Sequence, residues 1–104
     1  MTRGIDIWPP YFENINDVKN NSYKENVKFN IRDKVRFLIC NKAYTGTIDE
    51  IMIDIAAPTK ELSEVKYIVY YRASFNDYRY IALRKNDAIV KYEKPKWLID
   101  LNFL

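Results

Sequence analysis

From Phe29 to Ile51 the chain reads FNIRDKVRFLICNKAYTGTIDEI, and the middle of that stretch alternates strictly. Val35, Phe37 and Ile39 fall on one parity; Lys34, Arg36, Leu38 and Cys40 fall on the other. A period of two sends successive side chains to opposite faces, so Asp33–Cys40 is predicted to be a half-buried strand. Phe29 and Ile31 carry the first parity backwards. A tight turn is expected near Asn41–Lys42. A second strand follows from about Tyr44 to Ala56, opened by Gly46, where a missing side chain permits close backbone approach. Within it Ile51, Ile53 and Ile55 alternate with Met52 and Asp54, while Ile48 is out of phase. Asp49–Glu50 is therefore expected to hold a bulge or bend where the apolar side changes face. A bent hairpin of this kind begins a small, highly curved β-barrel.

The rest of the chain supplies strands to complete it. After the loop at 57–64, Val65–Arg72 sets Val65, Tyr67, Val69 and Tyr71 against Lys66, Ile68, Tyr70 and Arg72. Ala73–Asp77 is expected to link it to a fourth strand, Tyr78–Arg84, in which Arg79, Ile81 and Leu83 oppose Tyr78, Tyr80, Ala82 and Arg84. Lys85–Ala88 suits a 3₁₀ turn. Ile89–Tyr92 reads as a short fifth strand, with Pro95 ending the barrel. Residues 1–28 read as an N-terminal extension. Pro9–Pro10 keeps it extended, and Ile5, Ile7, Trp8, Tyr11 and Phe12 can tuck against a surface. Glu13–Asn26 is polar and reads as loop, with room for one helical turn around Ile15–Val18. The tail at 94–104 is strongly apolar. It is expected to cover an open end of the barrel, the alternative being a homodimer built on Trp97, Leu101 and Phe103.

Five strands with a bent second strand and a short turn before the fifth follow the order of an SH3-like barrel. The segments FNIRDKVRF, YTGTIDEI, VKYIVYY, YRYIALRKND and AIVKY resemble the strands of KOW, Tudor and other SH3-like domains over residues 29–93. The expected fold is thus mainly β: a five-stranded SH3-like barrel with an irregular N-terminal extension and an apolar C-terminal one. The resemblance implies ligand contacts on strand-face aromatics and flanking loops. A second resemblance lies in RGIDIWPP, where Arg3, Gly4, Trp8 and Pro10 are similar to the opening of YolD-like bacterial proteins, a family associated with DNA-damage polymerases. Gly46 and Ile48 match a later element of that family. The helical middle expected of it is missing here.

Composition removes most catalytic chemistry. The chain has 104 residues, enough for one core, and no histidine. General acid–base work and activation of a nucleophilic Cys40 both lose their usual partner. Cys40 reads instead as a small, partly buried strand residue. One cysteine and no histidine exclude a structural zinc site, and with only Gly4 and Gly46 there is no phosphate-cradling loop. The neighbouring carboxylates Asp49 and Glu50, like Glu61 and Glu64, read as solvated charges. We therefore expect a non-enzyme without metal or cofactor. No basic–apolar leader opens the sequence, and no apolar run approaches the roughly 20 residues that span a bilayer, so a cytoplasmic protein with no membrane partner is expected.

Binding is the remaining function class. Tyr70, Arg72, Tyr78, Arg79, Tyr80 and Arg84 interleave aromatics with bases, and Tyr44 adds a further aromatic. Tyrosine and arginine are the residues that anchor protein interfaces. A protein partner is the first expectation, met as monomer or homodimer. The same residues could stack on and neutralise single-stranded nucleic acid, which is the alternative. Against that alternative, the net charge is only +3, and Asp49, Asp54, Asp77 and Asp87 are expected to interrupt a basic stripe. The small size, with a composition rich in Ile, Lys and Asn, fits a bacterial or bacteriophage accessory protein, such as an inhibitor.

Overall fold

The computed structural model describes residues 8–93. They form one antiparallel sheet of six strands: β1 (Phe12–Asn14), β2 (Lys34–Ile39), β3 (Lys42–Asp54), β4 (Val65–Ser74), β5 (Asp77–Arg84) and β6 (Ile89–Lys91). The order is β5-β4-β3-β2-β6, with β1 pairing the end of β3. The expected five strands are all present, each within two residues of its predicted bounds. The sixth is Phe12–Asn14, which the sequence pattern left in the extension. The two edges, β5 and β6, are not paired with each other. The sheet is therefore open, where a closed barrel was expected.

β3 organises the sheet because it is long and bent. Its first half pairs β2, from Lys42↔Ile39 to Thr47↔Lys34. Its middle and second half pair β4, and its last residues pair β1. The register slips between Ile48 and Glu50, which places the bulge at Asp49 as expected. One extra residue shifts the parity, so Ile48, Ile51 and Ile53 all end up buried on the same side.

Gly46 sits inside β3, opposite Val35 on β2 and Tyr71 on β4, not at the strand's start. The need for glycine is steric. A Cβ there would lie 2.5 Å from Val69 Cγ1, 2.8 Å from the Tyr70 carbonyl oxygen and 2.9 Å from Tyr71 Cβ. The β2–β3 turn is Cys40–Asn41, one residue earlier than expected, with φ of 50° and 68°. Two successive positive φ values match the twist of a two-residue hairpin. They also carry Cys40 out to an exposed position, where partial burial was expected.

The core lies on one side of the sheet. Val35, Phe37, Ile48, Ile51, Val65, Tyr67, Val69, Tyr71 and Leu83 are buried there. Phe37 meets Tyr71 edge-on at 5.4 Å between ring centroids, and Phe29 meets Tyr67 in the same way at 5.4 Å. The Tyr67 hydroxyl accepts a hydrogen bond from the Lys28 amide at 3.0 Å, so the buried ring's polar end is satisfied. The segment before β2 covers this side. It contains two 3₁₀ turns, Ile15–Asp17, where room for one helical turn was read, and Tyr23–Asn26, where a loop was expected, and Val18 is buried. Lys85–Ala88, expected as a 3₁₀ turn, is a simple turn in which the Asp87 amide donates to the Arg84 carbonyl.

Asp54 anchors the N-terminal segment. It is 1% exposed, where an exposed acid was expected. Its carboxylate accepts from Trp8 Nε1 at 3.0 Å and from the amides of Tyr11 at 3.1 Å and Ala56 at 3.0 Å. Three donors compensate a buried charge that would otherwise be costly to desolvate. The Ser63 hydroxyl, also buried, donates to the Asp54 carbonyl at 2.6 Å. Lys85 Nζ then donates to the Ser63 carbonyl at 2.6 Å, which ties the 57–64 loop to the end of β5.

Candidate binding face

The side of the sheet away from the core carries the exposed aromatics. Pairing brings Tyr70 opposite both Thr47 and Tyr80, and Arg72 opposite Tyr78. Cross-strand neighbours on one face lie within about 5.5 Å at Cβ, close enough for ring contact. The Tyr70 ring stacks with Tyr78 at 5.6 Å and 10°, and meets Tyr80 at 4.9 Å with a tilt of 52°. Tyr70 is thus the centre of a three-ring cluster. Its members are 42%, 54% and 60% exposed for Tyr70, Tyr78 and Tyr80. Rings in mutual contact lose little side-chain freedom on binding, which favours them as contact surface.

Basic residues share the face with the cluster. Arg72 lies with its guanidinium carbon 5.4 Å from the Phe75 ring centroid, and Phe75 at the β4–β5 hairpin tip is the most exposed large apolar residue described, at 79%. Lys34 is opposite Thr47, and Arg36 is opposite Thr45. Lys34, Thr45, Thr47, Tyr70, Arg72 and Tyr78 line an open depression of about 230 Å³. Arg84 lies at the far end of the same face opposite Lys66, whose Nζ sits 4.1 Å from the Phe12 ring centroid.

Three of the four acids expected to interrupt this stripe lie elsewhere. Asp54 is buried. Asp77 holds Arg79 at the hairpin, with Arg79 Nη2 donating to Oδ2 at 2.8 Å and Nε to Oδ1 at 3.2 Å. That bond and the carboxylate charge raise the Arg79 pKa. Asp87 accepts from the Arg84 amide at 2.8 Å in the β5–β6 turn. Asp49 is the exception: it is exposed at the bulge, between buried Ile48 and exposed Glu50. Among the described residues of β2–β5, Glu50, opposite Ile68, is the acid exposed at a ladder position of this face.

The predicted binding residues therefore divide. Tyr70, Arg72, Tyr78, Tyr80 and Arg84 share the outer face. Tyr44 and Arg79 do not. Tyr44 is half-buried beside the core, stacked on Phe37 at 6.1 Å and edge-on to Tyr71 at 5.3 Å. Arg79 is opposite Tyr71, on the core-side parity of β5. Lys34, Arg36, Lys66 and Phe75 belong to the outer face and were not singled out from sequence. Their parity within each strand was visible; which parities coincide depends on register. Trp97, Leu101 and Phe103 lie outside the described residues.

The same geometry gathers little that is reactive. Cys40 is exposed at a turn. Among the described residues no group of three or more Cys, Asp or Glu side chains is placed to hold a metal ion. No helix among them is long and apolar enough to cross a membrane. No protein-family model matches the chain, and comparison with curated proteins and with solved structures gives no significant match.

Proposed function

We propose that this chain is a non-catalytic binding module of SH3-like type that takes a protein partner on its outer face. The observation that carries the reading is the Tyr70–Tyr78–Tyr80 cluster: two exposed rings packed on a third, with Arg72 and Lys34 lining the same depression. Rigid aromatics beside arginine are the usual anchors of a protein interface, and the neighbouring bases favour a partner with an acidic surface. The SH3-like reading is supported by the order β6-β2-β3-β4-β5, by the bend in β3 and by the short turn from β5 to β6. An accessory or inhibitory role fits a module that offers one contact face.

A second reading, single-stranded nucleic acid, is favoured by one specific observation. Three of the four expected acidic interruptions are off the face, which leaves Lys34, Arg36, Lys66, Arg72 and Arg84 against Asp49 and Glu50. Bases stacking on tyrosine with phosphates on arginine is the chemistry such a surface offers. Titration with a generic oligonucleotide separates the two. Nucleic-acid binding falls steeply with salt, with a slope near the number of phosphates contacted. No binding at about 50 mM salt removes that reading. A single dominant protein recovered by the wild-type chain, and lost with Tyr70→Ala or Tyr80→Ala, supports the first. Equal recovery by both variants removes the proposed face.

A further inference from the structure

Among the described residues β5 is an edge strand, and its unpaired main chain follows a definite pattern. The Lys85 amide donates to the Val65 carbonyl at 3.1 Å, which makes that pair a hydrogen-bonded one. Hydrogen-bonded and non-hydrogen-bonded pairs alternate along an antiparallel ladder, so Leu83, Ile81 and Arg79 aim their N–H and C=O groups at β4. Tyr78, Tyr80, Ala82 and Arg84 aim theirs outward. The Arg84 groups are satisfied locally: its amide donates to Asp87 Oδ2 and its carbonyl accepts from the Asp87 amide. Asn76 ends the series at the hairpin turn, with φ of 60°. Among the described residues Tyr78, Tyr80 and Ala82 are left with open donors and acceptors. A row of this kind is a template for another strand.

We propose that the occupant of this edge is β5 of a second copy of the chain, paired antiparallel about a two-fold axis through Tyr80. A two-fold axis must map the set 78, 80, 82 onto itself. Only one register does so: Tyr80 opposite the partner's Tyr80, with Tyr78 opposite the partner's Ala82 and the reciprocal. In that register every open group finds its complement. The side chains also fit. A large Tyr78 meets a small Ala82, and two Tyr80 rings meet at the axis, a favourable cross-strand pair. On the other face Arg79 faces Ile81 and Asp77 faces Leu83, so no like charges are directly opposed. The two Arg79 side chains become diagonal neighbours, and each is already held by its own Asp77 at 2.8 Å. The axis runs perpendicular to the sheet, so the Tyr70–Tyr78–Tyr80 faces of both copies join on one side. This pairing doubles the proposed binding face without depending on what that face binds.

The test needs no ligand. Light scattering and amide hydrogen exchange on the intact chain over a concentration series read the dimer and its edge. Protection of the Tyr78, Tyr80 and Ala82 amides should rise with concentration, while Arg79, Ile81 and Leu83 stay protected throughout. Tyr80→Lys and Tyr80→Glu each place like charges at the axis and should weaken association about tenfold or more. Mixing the two variants should restore it as a heterodimer. Tyr80 is 60% exposed, so neither substitution removes a core contact, and circular dichroism checks the fold. Three results overturn the proposal. One is a monomer whose edge amides exchange fast at every concentration. Another is edge protection independent of concentration, which means a segment of the same chain covers β5. The third is a dimer indifferent to Tyr80→Lys, which places the interface elsewhere.

Discussion

Gly46→Ala tests the placement of β3 with a single methyl group. The added Cβ would meet three atoms at 2.5, 2.8 and 2.9 Å, against about 3.5–4.0 Å for comfortable carbon contact. None of the three can easily retreat. Val69 is 0% exposed and branched at Cβ, the Tyr70 oxygen belongs to the β3–β4 ladder, and the Tyr71 Cβ is fixed by its backbone. Overpacking of a tight core costs about 1–3 kcal/mol, and three simultaneous overlaps place this variant at the upper end, about 3 kcal/mol. For a domain of this size that lowers Tm by about 12–24 °C. Thr45→Ala, one residue earlier on the exposed face, should cost under about 1 kcal/mol. Urea unfolding of both variants, with m unchanged, supplies the comparison. If Gly46→Ala is no worse than Thr45→Ala, β3 does not lie against Val69 and Tyr71 in this register, and the joining of strand faces built on it fails.

Other consequences are equally direct. Asp54→Ala strands three donors at a buried site and should cost about 3 kcal/mol by chemical denaturation, with Asp54→Asn recovering part of the loss through its one remaining acceptor oxygen. Burial raises the Tyr67 pKa above 10.0 in the folded chain, so the folded state holds its proton longer than the unfolded one. Stability should be level below pH 10.0 on this account and fall as pH rises through the folded value, with Tyr67→Phe flattening that fall in thermal melts. A phenolate absorbance titration should show one of the nine tyrosines ionising late. Cys40→Asn with Asn41→Gly puts residues tolerant of positive φ into the β2–β3 turn and should raise stability by about 1 kcal/mol; an unchanged or lowered denaturation midpoint contradicts the turn geometry.

Alternation within each strand is a local property, and it made β2 to β6 and the Asp49 bulge legible. What failed was non-local. β1 is three residues long and finds its partner some forty residues away, so no periodicity announces it. Asp54 looked like a surface acid because its parity in β3 faces away from the core; Trp8 and Tyr11 bury it from a distant segment. The site was half legible for the same reason. Tyr70, Tyr78 and Tyr80 were visible as candidates, but that they touch depends on the β4–β5 register. Tyr44 was chosen as an aromatic at a strand start, and its packing against Phe37 and Tyr71 shows that its parity belongs to the core.

The central claim is that the outer face, and not the core-side edge, receives the partner. Quantitative capture from the native cell extract tests it with three chains: wild type, Tyr70→Ala/Tyr80→Ala and Arg79→Ala. The account predicts that the double variant loses about tenfold or more of the dominant captured species while remaining folded, and that Arg79→Ala captures as wild type does. Undiminished capture by the double variant, or a loss confined to Arg79→Ala, would contradict it.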